Sequence, residues 1–420
     1  MFRLIALSLF ALIANSVSAE WPDYRGPNGD GLSDATGLPV SWSETENVAW
    51  KTPIHGRAWS SPVLSEKHVW LATATPDGKE LFVITVDRES GKVVRDLKLF
   101  DVAEPQFAHA FNTHASPSPL IDGDRVYIEF GSYGTACMKE ATGEILWTRR
   151  DINCNHFRGA GASPIVWKDL LILSRDGSDA QYLTALDKMT GKTVWKTERS
   201  TDFKDLDKSG KPARDGDMRK CFSTPIVYSH NGEERLFSPG AKAGFAYDLR
   251  SGKELWTVTY ASHSSSSRTI FGHGMLYVNT GFGKPDLLAI RPGGSGDVTK
   301  SHVAWKINKG VPKKPAPLLV GEHLVMVEDK GVVSRVNAKT GKLLWQERIG
   351  GNHSASPVRA DGRIYFFSED GKTAVISEGE SFEKLAENKL ADGFMASPAI
   401  GGKAFFLRTK TALYRVESNK

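Results

Sequence analysis

Three cysteines in 420 residues, at positions 137, 154 and 221, leave little room for cysteine chemistry. No two are adjacent and there is no CxxC or CxxCH, so a cysteine zinc site and covalently attached haem have no basis. No long block carries one sign of charge. The 54 basic and 49 acidic residues are mixed along the chain for a formal charge of +5, and nucleic acid is not an expected partner. Beyond the first residues no apolar run reaches the ~20 residues of a membrane span. Long amphipathic helical patterns are also missing. What remains is an ordinary globular balance, 40% hydrophobic and 25% charged. The chain exceeds the ~250–300 residues at which single cores stop growing. It is therefore either divided into domains or repetitive.

Residues 1–19, MFRLIALSLFALIANSVSA, have a basic start at Arg3, an apolar run from Leu4 to Ile13 and small residues at Val17 and Ala19. This is the pattern of an export signal cleaved after Ala19. No cysteine follows the cleavage point, so the expectation is a periplasmic or secreted protein, not a lipoprotein, with no integral membrane segment after cleavage. Residues 20–46 read as a leader, and residues 47–420 as the main body.

The body repeats itself. DKMTGKTVW at 187–195 returns as DLRSGKELW at 248–256 and NAKTGKLLW at 337–345. KEATGEILW at 139–147 also fits, as does DRESGKVVR at 87–95 with Arg95 in place of tryptophan. Each is a Thr/Ser–Gly turn between alternating apolar residues, a hairpin signal. A second phrase, SPVLSEKHVWLAT from Ser61, recurs from Ser118, Ser163, Thr224, Ser356 and Ser397, with degenerate copies from Arg268 and Ala316. The eight copies lie 40 to 61 residues apart. A period of ~40–50 with four strands per unit means propeller blades.

The predicted fold is therefore all-β, an eight-bladed β-propeller of four-stranded blades. Ring closure is also readable. Trp256, Trp305 and Trp345 stand 12 or 13 residues before the next repeat's second position, and Trp50 stands 12 before Pro62. The last repeat ends after three strands, so the amino-terminal strand NVAWKTPI is expected to complete the carboxy-terminal blade. Trp50, Trp147, Trp195, Trp256, Trp305 and Trp345 are then structural, each docking on a neighbouring blade and burying ~150–250 Å².

The pairing of TGKxxW with SPxV over residues 47–417 resembles the pyrroloquinoline-quinone-like propeller repeat family. That family includes quinoprotein alcohol dehydrogenases and the propeller lipoprotein of the outer-membrane barrel-assembly machine. WPDYRGPNGDGLSDATGLPVSW looks like the leader of exported members. The resemblance implies, for the enzymes, an adjacent cysteine pair beside the quinone and a calcium held by acidic and amide side chains. This sequence has neither signature, so pyrroloquinoline quinone is not expected and no cofactor is.

Three connections are longer than the 12-residue norm: 24 residues from Arg95 to Pro119, 17 from Trp147 to Pro164 and 30 from Trp195 to Pro225. All join an outer strand to the next inner one, so all are expected on one face over one sector. Loops on a rigid scaffold carry binding residues. The candidates for the channel mouth are Arg57, Trp59, His109, His114, His156, Arg158, Arg219, His263, Arg268 and His353. Asp205, Asp207 and Ser209 resemble the start of a calcium loop, although Gly216 stands where a bidentate glutamate belongs. Cys154 and Cys221 lie in extensions entering neighbouring blades and form the expected disulfide, if one forms. No catalytic constellation is evident. The functional expectation is a monomeric binding or scaffolding module for a protein or polysaccharide. The alternative is a quinone- or metal-dependent oxidoreductase.

Overall fold

Each repeat folds as one antiparallel sheet of four strands, and eight such sheets complete the ring. The computed structural model describes residues 20–418, so the export signal expected over residues 1–19 lies outside the described residues. In the first blade the strands are Val63–Leu64, His68–Ala74, Glu80–Asp87 and Val93–Asp101. Inner strands are packed between neighbouring blades on both faces and read as continuous apolar runs; residues 69–74 are all buried. The outermost strand has a wet side, and its burial alternates.

Four of the repeated tryptophans reach the next turn through the indole N–H. The Trp195 indole N–H donates to the Leu249 carbonyl at 3.1 Å, Trp147 to Lys188 at 3.1 Å, Trp305 to Ala338 at 3.0 Å and Trp345 to Glu380 at 2.9 Å. The ring lies flat against the turn glycine of the next blade. A Cβ on Gly252, at φ +69°, would stand 2.5 Å from the Trp195 ring, and one on Gly191 2.8 Å from Trp147. The glycine of TGK is thus required twice, for its positive φ and for the indole above it. Arg95 does the same work in the first blade, its guanidinium donating to the carbonyls of Ala141 and Thr142. Blade five lacks the short turn. There Gly296–Asp297 loops out and pairs in parallel with Trp256–Thr257, adding a fifth strand to blade four.

Closure follows the predicted route. Val48–Pro53 pairs antiparallel with Ala412–Glu417, and the Trp50 indole N–H reaches Arg88 O at 3.0 Å in blade one. Joining first and last strands in one sheet leaves no open ring edge.

Around the axis, the residue opening each inner strand is tied to its neighbour. The backbone N–H of Ser61 donates to Ser118 Oγ, Ser118 to Ser163 Oγ and Ser163 to Thr224 Oγ1, at 2.9–3.0 Å. On the other side Ala316 donates to Ser356 Oγ, Ser356 to Ser397 Oγ and Ser397 back to Ser61 Oγ, at 2.9–3.0 Å. This hydroxyl hoop is broken where Arg268 and Ala316 replace serine.

The leader fills that break. Its backbone accepts from Leu64 and Ile121 at the far end of the inner strands, both at 2.8 Å. The Arg268 guanidinium donates to Asp23 at 3.0 Å and to Tyr24 O at 2.6 Å, while Arg25 donates to Ala316 O and Pro317 O. Residues 21–42 thereby stopper one end of the channel, with Trp21 and Trp42 in the core shared by blades one, seven and eight. No helix among the described residues is long and apolar enough to cross a membrane.

Candidate functional site

With one end stoppered, the channel becomes a blind cavity of about 630 Å³ that opens on the face of the extended loops. Its floor carries Tyr24 and the hoop residues Ser61, Ser118, Ser163, Thr224 and Ser397. One wall comes from the three extensions and the loop before blade one: Trp59, His109, Phe111, Arg158, Lys220 and Phe222.

These loops are laced to each other, which offsets the entropy of ordering long connections. The Trp59 indole N–H donates to Phe111 O at 3.2 Å, Arg57 Nη2 to Ala110 O at 2.7 Å and Asn112 Nδ2 to Gly159 O at 3.0 Å. The third extension joins the following loop through Phe222 N to Ser265 O and Ser264 N to Lys220 O, both 2.8 Å. His109 and Phe111 stack at 5.9 Å, and Phe107 and Phe111 are 65% and 59% exposed, large apolar groups held out to solvent.

Two charge groups shape the wall. Arg158 makes a bidentate pair with Asp217, both bonds 2.9 Å, and buried Lys220 bonds the same carboxylate. Hydrogen bonds from Arg158, then Lys220, hold the Asp217 carboxyl well below the usual range, while burial pushes the Lys220 ammonium down. Opposite, Lys314 pairs with Glu369 at 2.7 Å and Ser354 Oγ donates to the same carboxylate at 2.5 Å. Burial acts against ionisation of Glu369, but those bonds prevail and its pKa falls. Burial, then Lys242 and Lys220, lowers the His263 pKa, which favours the neutral ring.

Of the residues expected at the mouth, Trp59, His109, Arg158 and His263 line the cavity. Arg57 sits behind Trp59, 5.5 Å from its ring. The others are placed elsewhere. His114 is buried against the Tyr133 hydroxyl at 3.2 Å, and burial lowers its pKa. His156 accepts from Ser132 N at 3.0 Å beside Cys154, and burial, then Arg175, takes its pKa to about 3. His353 is buried with its ring nitrogens on Phe367 O and Gly350 O, each at 3.0 Å. Arg219 pairs with Asp205, and Arg268 holds the leader. All five staple backbone or loops, because a polar side chain that leaves solvent here must find a partner.

The calcium reading is corrected by the same pairs. Asp205 is taken by Arg219, and Asp207 Oδ1 folds back onto Ser209 N, Ser209 Oγ and Lys211 N at 2.7–2.9 Å as an ordinary turn. Among the described residues no three acidic, histidine or cysteine side chains could together hold a metal. The expected Cys154–Cys221 disulfide is not formed: all three cysteines are free and buried. Cys154 lies 3.6 Å from His156 Nδ1 while Cys221 faces Ser265 O at 3.4 Å, and burial pushes both thiols up to about 12.

Sequence reasoning missed the opposite wall. Lys313, Lys314, Lys330, Asn352 and Glu369 come from connections of ordinary length in blades five to seven. The available signal was KKP just before an inner strand and the paired turns EDKG and EDGK, at 328–331 and 369–372.

Comparison with known proteins agrees with this architecture. The family model described as outer membrane protein assembly factor BamB matches residues 245–379. The chain resembles the pyrroloquinoline-quinone-like propellers. Outer membrane protein assembly factor BamB of Yersinia pestis is 23% identical over 226 residues, 50% of this chain and 52% of that one. The protein of that name from Legionella pneumophila (strain Paris) is 23% identical over 218 residues, 52% of this chain and 51% of that one. The chain thus spans about half the length of the curated relatives it matches. Among solved structures, a quinohemoprotein alcohol dehydrogenase from Pseudomonas putida HK5 superposes with a TM-score of 0.64 at 12% identity, over 96% of this chain and 81% of that one. The computationally designed Ika8 protein gives 0.58 at 12% identity, over 90% and 100%. At these identities the PQQ-like likeness is one of fold.

Proposed function

We propose that the protein is an exported binding module that captures its partner on the loop-rich face, in and around the blind cavity. The observation that carries this reading is the wall of Trp59, Phe111, Phe222 and Arg158, aromatic and arginine side chains lining one concavity, the last three from loops longer than ring closure requires. The likeness to assembly factors supports a binding role over a catalytic one.

The side chains present do not fit the quinone and calcium that the fold family implies. None of the three cysteines lines the cavity. Of its four carboxylates, Asp217 is held by Arg158 and Lys220, Glu369 by Lys314 and Ser354, and Asp329 by the N–H groups of Lys313 and Lys314, which leaves Glu328 as a single carboxylate to offer a calcium ion. No catalytic step is assigned to that cofactor.

Capture from an envelope extract tests the reading. The triple variant Trp59→Ala, Phe111→Ala, Arg158→Ala is expected to retain less than a tenth of the partner held by the parent, with a melting temperature within a few degrees. Undiminished capture by the triple variant would reject the loop-rich face.

A further inference from the structure

We propose that the cavity floor is a carboxylate subsite and that the ligand is the acidic end of a saccharide, a uronate-terminated oligosaccharide. This rests on the binding reading of the same face and names its ligand.

The first observation is the hoop. Ser61, Ser118, Ser163, Thr224 and Ser397 each accept a backbone N–H from the neighbouring blade. Each is at most 4% exposed, lines the cavity and finds no acceptor for its own O–H among the described residues. With its oxygen already accepting a backbone N–H, each hydroxyl keeps its proton free to donate to a group held in the cavity. Five such donors converge around one axis. An oxygen-rich group on that axis satisfies several together, and a carboxylate offers about four lone-pair sites.

The second observation is the balance of charge. The lining holds five cations, Arg158, Lys220, Lys313, Lys314 and Lys330, against four carboxylates. Arg158 and Lys220 share Asp217, and neither Lys313 nor Lys330 has a carboxylate partner among the described residues. Glu328 and Asp329 are the remaining carboxylates of the lining, so five cations against four carboxylates leave one positive charge over.

The third is the body of the cavity. Trp59, Phe111, Phe222 and Phe282 line the cavity with the polar floor residues, the ammoniums of Lys314 and Lys313 lying 4.9 and 5.7 Å from the Phe111 and Phe282 ring centroids, so that aromatic and cationic groups stand together as the C–H faces and acidic edge of a uronate ring require. A volume of about 630 Å³ lies in the ~300–1,000 Å³ range of small-ligand sites and admits a chain end, not a folded domain.

Isothermal titration of the full protein with trigalacturonate, its methyl ester, maltotriose and an acidic hexapeptide tests this. Trigalacturonate is expected to bind at least about tenfold more tightly than the ester, the neutral sugar or the peptide, since charge-assisted hydrogen bonds are lost with the charge. The double variant Lys313→Gln, Lys330→Gln should lose about tenfold for the acid and nothing for maltotriose. Ser118→Ala removes one floor donor and should also weaken only the acid; because it orphans the Ser61 N–H, its melting temperature is read alongside, and the lysine variant stands if it unfolds. Equal affinity for acid and ester, tighter binding of the peptide, or no binding of trigalacturonate would overturn the proposal. If capture by the parent still exceeds capture by the Trp59, Phe111, Arg158 variant, only the ligand assignment fails; if the two are equal, the binding surface itself is wrong.

Discussion

Deleting residues 20–52 is expected to abolish the cooperative thermal transition of the parent, or to lower it steeply. The deletion takes away the strand that pairs with Ala412–Glu417, leaving the last sheet with an unpaired edge. It removes Trp50 from the turn of blade one, where a Cβ on Gly91 would stand 2.6 Å from the indole. It also removes the stopper. Trp21 and Trp42 are 2% and 3% exposed, and burial of each such side chain contributes at least ~1.5–3 kcal/mol, against a whole-domain stability of ~5–15 kcal/mol. Asp23 and Arg25 leave with them, stranding the buried guanidinium of Arg268 without its carboxylate. Differential scanning calorimetry that finds the truncated protein melting like the parent would show that the leader and first strand are not part of the ring.

The second large effect is expected inside blade three. Arg199 meets Asp176 through two bonds, 2.5 and 2.6 Å, with both side chains no more than 2% exposed, and its Nη2 also reaches Ser238 Oγ of blade four at 2.8 Å. Ser174 Oγ donates to the same carboxylate at 2.8 Å. Desolvation of both ions is offset only while the pair is complete. Asp176→Leu alone should therefore cost about 3–5 kcal/mol, because it leaves a buried guanidinium uncompensated. Asp176→Leu with Arg199→Met removes both charges and should recover much of that loss. Urea denaturation reads both variants. A double variant as unstable as the single one would mean that the network does more than neutralise itself.

The fold was legible because its determinants are local and repeated. The turn glycine, the tryptophan four residues on and the serine before the inner strand recur in most repeats, and each has the same physical duty wherever it occurs. The site was legible only where sequence length departs from that spacing. The extensions gave Trp59's neighbours His109, Phe111 and Arg158, whereas Lys313, Lys330 and Glu369 sit in connections whose lengths are unremarkable. Histidine was a poor guide: His114, His156 and His353 were expected at the mouth on residue type, but each is buried on a local partner, the Tyr133 hydroxyl, the Ser132 N–H and the Phe367 and Gly350 carbonyls respectively. The floor was hidden for another reason. Ser61, Ser118 and Ser163 read as strand-start residues, which they are, and only ring closure shows that their hydroxyls meet around one axis. Blade five shows the limit of pattern reading. Arg268 broke the serine pattern, and its partner Asp23 lies 245 residues away in a leader whose role depends on the completed ring.

The account is tested most directly by site-specific photo-cross-linking in the cells that make the protein. A photoreactive residue at Phe111, on the rim of the cavity, and another at Thr190, on an exposed hairpin turn of the opposite face, sample the two faces of the same ring. The account predicts a discrete cross-linked product from position 111 that excess trigalacturonate suppresses, and none from position 190. A product from position 190 with none from position 111 would contradict it.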